Sequence, residues 1–162
     1  MTVTETAPGD EGFSSFVDLF DRYRMHYGQP MDRDKVQDWL ADATTTGPMR
    51  AFLARVDGTP AGICLAAIFP ASLALGEFWM VRDLFVDPRW RRTGVAWELL
   101  DAVTTAARQR GAVRVTIQTE DDNEAALALY ERYGFEPVTG LRHLSLTLPT
   151  SEPPRSSEPS TR

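Results

Sequence analysis

Between residues 78 and 107 the hydrophobic pattern changes period across a short glycine turn, and this unit limits the fold more than any other stretch. Residues 78–86 form an apolar run of strand type, and residues 91–96 read Arg-Arg-Thr-Gly-Val-Ala. Val95, Leu99, Leu100, Val103 and Ala107 then mark one face of a helix. A strand that enters a helix through a tight turn leaves the first helical N–H groups without intrahelical partners, and the helix dipole makes that end positive. Such an end suits a phosphate. Gly94 lets the backbone approach the ligand closely, and Arg91 and Arg92 offer charge-assisted contacts.

The rest of the chain interleaves strands and helices. Residues 2–6 read as a short strand that Pro8-Gly9-Asp10 stops. Phe13, Phe16, Val17, Leu19 and Phe20 then take helical spacing, which predicts a helix to about Tyr27. Gly28-Gln29-Pro30 breaks it, and Asp32 can cap a second helix with Val36, Trp39 and Leu40 on one face. Residues 49–56 and 61–69 predict a hairpin around Asp57-Gly58. After Gly111, Val113, Val115 and Ile117 alternate as a strand. Asp122 or Asn123 can cap a helix carrying Ala126, Leu127 and Tyr130, which Gly134 ends. Residues 135–138 and 143–148 return to strand pattern. The expected fold class is α/β (α+β), with a mixed sheet in one domain over residues 1–148. The Ser, Pro, Glu and Arg of residues 149–162 predict a disordered tail.

Composition removes several functions. A formal charge of −6 argues against a broad grip on nucleic acid or an anionic membrane, and favours a cationic ligand in general terms. Cys64 is the only cysteine, so an intrachain disulfide and a thiolate-rich metal site are excluded, and no metal is expected. His26 and His143 are distant in sequence and read as surface and packing residues. No run approaches the roughly 18 apolar residues of a membrane span. The first residues have no basic segment followed by an apolar core, which predicts a cytoplasmic protein.

Two ordered motifs carry a family resemblance. Arg91-x-x-Gly94-x-Ala96 precedes an amphipathic helix and a strand, and Asn123-x-x-Ala126-x-x-x-Tyr130-x-x-x-Gly134-Phe135 follows. In this order the chain resembles the GNAT superfamily of N-acetyltransferases, including bacterial members that act on small amines. The resemblance implies a sheet in which two parallel strands, here 78–86 and 113–118, splay apart to admit acetyl-CoA. It places the CoA pyrophosphate on the backbone of Arg92, Thr93, Gly94, Val95 and Ala96, with Arg91 opening the motif. Backbone groups of Leu84, Phe85 and Val86 would hold the pantetheine arm, and Asn123 and Tyr130 would contact the cofactor.

Acetyl transfer to an amine sets two demands. An alkyl ammonium has a pKa of about 10.4, so the neutral nucleophile costs roughly 4 to 5 kcal/mol near pH 7. A base must take that proton. The departing sulfur gains from a nearby acid, and Tyr130, neutral at pH 7, occupies the family's tyrosine position. Asp83 and Glu77 lie on or beside the splayed strand as candidate bases, and a water chain would also serve. Asp83 with Leu84-Phe85-Val86 looks like the Asp-Phe-Phe-Val stretch of spermidine/spermine acetyltransferases, but Arg82 stands where those enzymes carry an acid. Tyr23, Tyr27, Gln29 and Asp32 fall where the family's first two helices cover the acceptor, so Tyr27, Gln29, Asp32 and Asp83 are the candidate acceptor contacts. Trp90 and Trp97 flank the turn, to shield CoA or to pack.

The resulting expectation is direct transfer in a ternary complex from acetyl-CoA to a polyamine, an amino acid or an amine-bearing antibiotic. Acetylation of a protein lysine or N-terminus is the enzymatic alternative. A non-catalytic acyl-CoA-binding module is the other. Relatives include dimers, so a homodimer is an open expectation.

Overall fold

The computed structural model describes residues 1–140 and 142–148. Five strands, β1 (Thr2–Thr6), β2 (Met49–Val56), β3 (Thr59–Ala71), β4 (Gly76–Val86) and β5 (Val115–Ile117), form one sheet in that order. The first four run antiparallel, and β5 joins β4 in parallel. Four helices, α1 (Phe13–His26), α2 (Arg33–Thr45), α3 (Val95–Gln109) and α4 (Glu124–Tyr133), complete the mixed α/β fold that the interleaved pattern predicts. Asp57 and Gly58 both take positive φ, 49° and 78°, as a two-residue hairpin turn between β2 and β3 requires.

Period-2 alternation buries both faces of the sheet. Ala51, Leu53, Ile63 and Leu65 pack against Phe16, Val17 and Leu19 of α1 and Leu40 of α2. Phe52, Ala54, Cys64 and Ala66 face the other way, onto Leu99, Leu100 and Val103 of α3. The start of α3 lies close on β3: a Cβ at Gly62 would stand 2.9 Å from both the Phe85 carbonyl oxygen and Val95 Cγ1. The turn before α3 is thereby fixed against the sheet.

One irregularity in β4 decides which side of the sheet receives its polar residue. Opposite β3 the register passes from Ala66↔Val81 to Leu65↔Asp83, so Arg82 is an extra, bulged residue. Trp79 and Val81 lie in the α3-side core, whereas Phe85 packs with the α1 and α2 core. Strict alternation would have kept residues 81, 83 and 85 on one face. The bulge turns Asp83 toward α1 instead.

The strands expected at residues 135–138 and 143–148 do not form among the described residues. Alternation sorts side chains onto two faces but supplies no hydrogen-bonding edge. Val138, Leu144, Leu146 and Leu148 are all exposed, and β5 is only three residues long. The tail expected at 149–162 lies outside the described residues.

Candidate active site

The parallel pairing of β4 and β5 stops early. Trp79, Met80 and Val81 register with Val115, Thr116 and Ile117, and no strand flanks residues 82–86 on that side among the described residues. Beyond Val81 the two strands therefore separate, and a cleft of about 600 Å³ opens between them. Leu84 and Asp83 line it from β4, Gln118, Thr119 and Glu120 from the chain after β5, and Asn123 and Tyr130 from α4. Tyr23, Tyr27, Gln29, Lys35 and Trp39 close it from α1, α2 and the loop between them.

The turn after β4 has the donors that the sequence promises. Arg92 and Gly94 take positive φ, 62° and 93°, and Gly94 stands at the N-cap of α3 with no side-chain cap. Among the described residues no backbone acceptor meets the N–H groups of residues 92–97. The Thr93 hydroxyl donates to the Trp90 carbonyl (2.7 Å), and Arg91 Nε lies 3.4 Å from the Val86 carbonyl oxygen. A row of free N–H groups on an uncapped helix end fits a pyrophosphate. No cap has to be displaced. Trp97 packs edge-on against Tyr133 with ring centroids 4.8 Å apart, so its role is packing; Trp90 is half-buried in the same core.

Asn123 accepts the Ala126 N–H at 3.2 Å and so starts α4 at the cleft. The helix ends at Gly134 (φ 111°), where the Phe135 N–H reaches the Tyr130 carbonyl at 2.9 Å. Tyr130 stands in the middle of that helix, edge-on to Phe135, its ring half-buried. Burial, with Cys64, Tyr27 and Glu120 as neighbours, pushes its phenol up to about 12. It is neutral across the physiological range.

Asp83 faces Tyr23 of α1 at the cleft floor. Burial raises its carboxyl above the usual aspartate value, while the Tyr23 phenol and the Arg82 charge draw it back. Tyr23 in turn is pushed far above an ordinary phenol by burial and by the Asp83 charge. Glu77 is elsewhere employed: its Oε1 accepts from buried Trp79 Nε1 (3.0 Å) and Arg110 Nε (3.3 Å), and it lines no part of the cleft.

The fold thus brings Asp83, Leu84, Asn123, Tyr130, Tyr27 and Gln29 to one cleft. Asp32 is beside it but occupied, its carboxylate capping α2 through the Lys35 N–H at 3.2 Å. The side chain of Phe85 packs under Tyr23, so that residue could serve a ligand through its backbone alone. Tyr23, expected only as part of the lobe over the acceptor, meets Asp83 directly, and Lys35 is an addition to the site residues expected from sequence. A tyrosine one helical turn before Tyr27 was a readable signal for the first; an isolated lysine on a polar helix face gave none for the second.

The sequence model of the Acetyltransferase (GNAT) family matches residues 13–135. The chain belongs to the GNAT acetyltransferase family. Among GNAT relatives it is 31% identical over 138 residues to the uncharacterized N-acetyltransferase YhfO of Bacillus subtilis (strain 168), covering 84% of this chain and 91% of that protein. The crystal structure of a probable acetyltransferase superposes with a TM-score of 0.84 at 27% identity, covering 92% of this chain and 99% of that one. The structure of AAC(6')-Iy in complex with the bisubstrate analog CoA-S-monomethyl-acetylneamine shares the fold with a TM-score of 0.72 at 19% identity over 91% of this chain and 98% of that one. The protein is an N-acetyltransferase. Among the described residues no group of three or more metal-ligating side chains occurs, and no helix is long and apolar enough to cross a membrane.

Proposed function

We propose that residues 1–148 form a unit that transfers an acetyl group from acetyl-CoA directly to the primary amine of a small molecule. The observation that carries this reading is the convergence of Asp83, Tyr23 and Tyr130 on the cleft where β4 and β5 part. When bound, acetyl-CoA supplies a thioester carbonyl. Residues 92–96 hold its pyrophosphate through their unpaired N–H groups, with Arg91 beside them. The open edge of β4 at Leu84, Phe85 and Val86 offers backbone groups to the pantetheine arm, and Asn123 contacts that arm from the start of α4.

Asp83 takes the proton of the attacking ammonium, directly or through one water, while Tyr23 steadies its carboxylate. A carboxyl raised by burial is a stronger base than a solvated one and narrows the gap to an alkyl ammonium near 10.4. Tyr130 donates a hydrogen bond to the departing sulfur. With its phenol near 12 and a thiol near 8.5, complete proton transfer would be uphill by roughly 4 to 5 kcal/mol. Hydrogen bonding therefore carries its contribution. Tyr27 and Gln29 bound the acceptor from the α1–α2 loop.

The test is release of free thiol from acetyl-CoA with a panel of small primary amines and of peptides. Turnover with small amines is expected. Turnover confined to peptides would replace this reading with protein acetylation, and CoA binding without turnover on any amine would leave a binding module.

A further inference from the structure

The charges around the cleft go beyond what amine acetylation requires. The chain has sixteen arginines and a single lysine, Lys35, and that lysine lines the cleft from the first turn of α2. Its exposed ammonium has no carboxylate within ion-pairing distance among the described residues. Arg24, on the same wall, is committed: Nη1 donates to Asp21 Oδ1 (3.1 Å) and to the Pro30 carbonyl (3.3 Å). Arg82, the bulged residue of β4, is also exposed, with no carboxylate within ion-pairing distance among the described residues. The lining carboxylates are Asp83 and Glu120, on the strand side of the cleft.

This arrangement opposes a polycation. An amine reaching Asp83 and Tyr130 would leave a second positive group near Lys35 or Arg82, where like charges meet. A negative group in the same place would find Lys35 unpaired. Phe20, Tyr23, Tyr27 and Trp39 form an aromatic wall suited to the carbon chain between. We infer that the acceptor is a primary amine bearing a carboxylate, an amino acid rather than a polyamine or a polyamino sugar, and that Lys35 binds its carboxylate. The inference rests on the small-amine reading above and narrows it. Lys35 is a specificity-determining residue in this scheme, with no part in the proton transfer.

Matched pairs that differ by one carboxylate decide the matter: L-lysine against cadaverine, L-ornithine against putrescine, and 6-aminohexanoate against pentylamine. The quantity read is the ratio of kcat/KM within each pair, by thiol release. The wild type is expected to favour the carboxylated member by about fivefold or more. Lys35→Met should bring the ratio close to one, and Lys35→Glu should invert it, both variants being at an exposed helix position compatible with folding. Retained ratios in Lys35→Glu, or a wild type that favours the decarboxylated amines, would overturn the assignment while leaving small-amine acetylation intact. Thiol release with peptides alone would overturn both.

Discussion

Tyr130 and Gly94 act through different physics, and substitution separates them. Tyr130 is a neutral hydrogen-bond donor held near 12 by burial, so removing its hydroxyl should slow the chemical step and spare donor binding. Tyr130→Phe is expected to lower kcat by about 10 to 10², the worth of one hydrogen bond to a developing thiolate, with little change in CoA affinity measured by calorimetry. Its titration also lies too high to produce a descending limb in the pH–rate profile below pH 11 or so. On the acid side, Asp83 must be ionised to accept a proton, and its raised carboxyl moves that limb above where an ordinary aspartate would put it. Asp83→Asn should remove the limb along with most of the rate. Gly94 sits at φ 93° with free N–H groups on both sides. A side chain there is strained and stands over the anion site, so Gly94→Trp should weaken CoA binding by at least about tenfold.

At the level of elements, the acceptor wall depends on a strap that the sequence hides. Asp21 is buried on α1; its Oδ1 accepts from Arg24 Nη1 at 3.1 Å and from the Asp32 N–H at 3.3 Å. Those two bonds hold the α1–α2 loop, with Tyr27 and Gln29, over the cleft. Asp21→Asn should raise the acceptor KM by roughly five- to tenfold, whereas CoA affinity should stay close to wild type; an equal loss of both would mean general destabilisation. In the sequence Asp21 looks like a residue on a polar helix face, because its partners come from a loop whose path no local pattern specifies. Period-2 alternation made β2 and β3 legible, and Asn123 and Gly134 marked α4 correctly. The bulge at Arg82 was not legible, since alternation carries no sign of an inserted residue, and it is the bulge that sends Asp83 toward α1. The unpaired N–H groups of the glycine turn were readable because they belong to the backbone. The strands anticipated at 135–138 and 143–148 failed for the converse reason: their patterns were sound but offered no evidence of a partner edge.

Across the whole molecule, two aspartates four residues apart, Asp83 in β4 and Asp87 in the following turn, place opposite demands on stability. Asp87 is buried and accepts from Arg22 Nη1 of α1 (3.0 Å), from the Arg89 N–H (3.1 Å) and from the Arg89 guanidinium (2.9 Å), tying α1 to the turn that leads into α3. These donors hold its carboxyl down at about 2, below the roughly 3.9 of an unfolded chain. Its stabilisation is therefore complete above about pH 4 and is lost as pH falls through 2. Asp83 has the opposite sign: burial raises its carboxyl, so its favourable contribution is present when it is protonated and disappears as pH rises through its folded value. At neutral pH the ionised, half-buried Asp83 lowers stability in the place where a base is wanted. Thermal unfolding of two variants should separate these effects. Asp87→Asn should lose about 1 to 2 kcal/mol at pH 7, after allowance for its solvent-exposed arginine partners, or roughly 3 to 8 °C in Tm. That deficit should shrink toward pH 2. Asp83→Asn should instead melt higher than wild type at pH 7, with the difference vanishing below about pH 4. A neutral-pH loss in both variants would show that Asp83 is a structural anchor, and would remove the physical ground for treating it as the base.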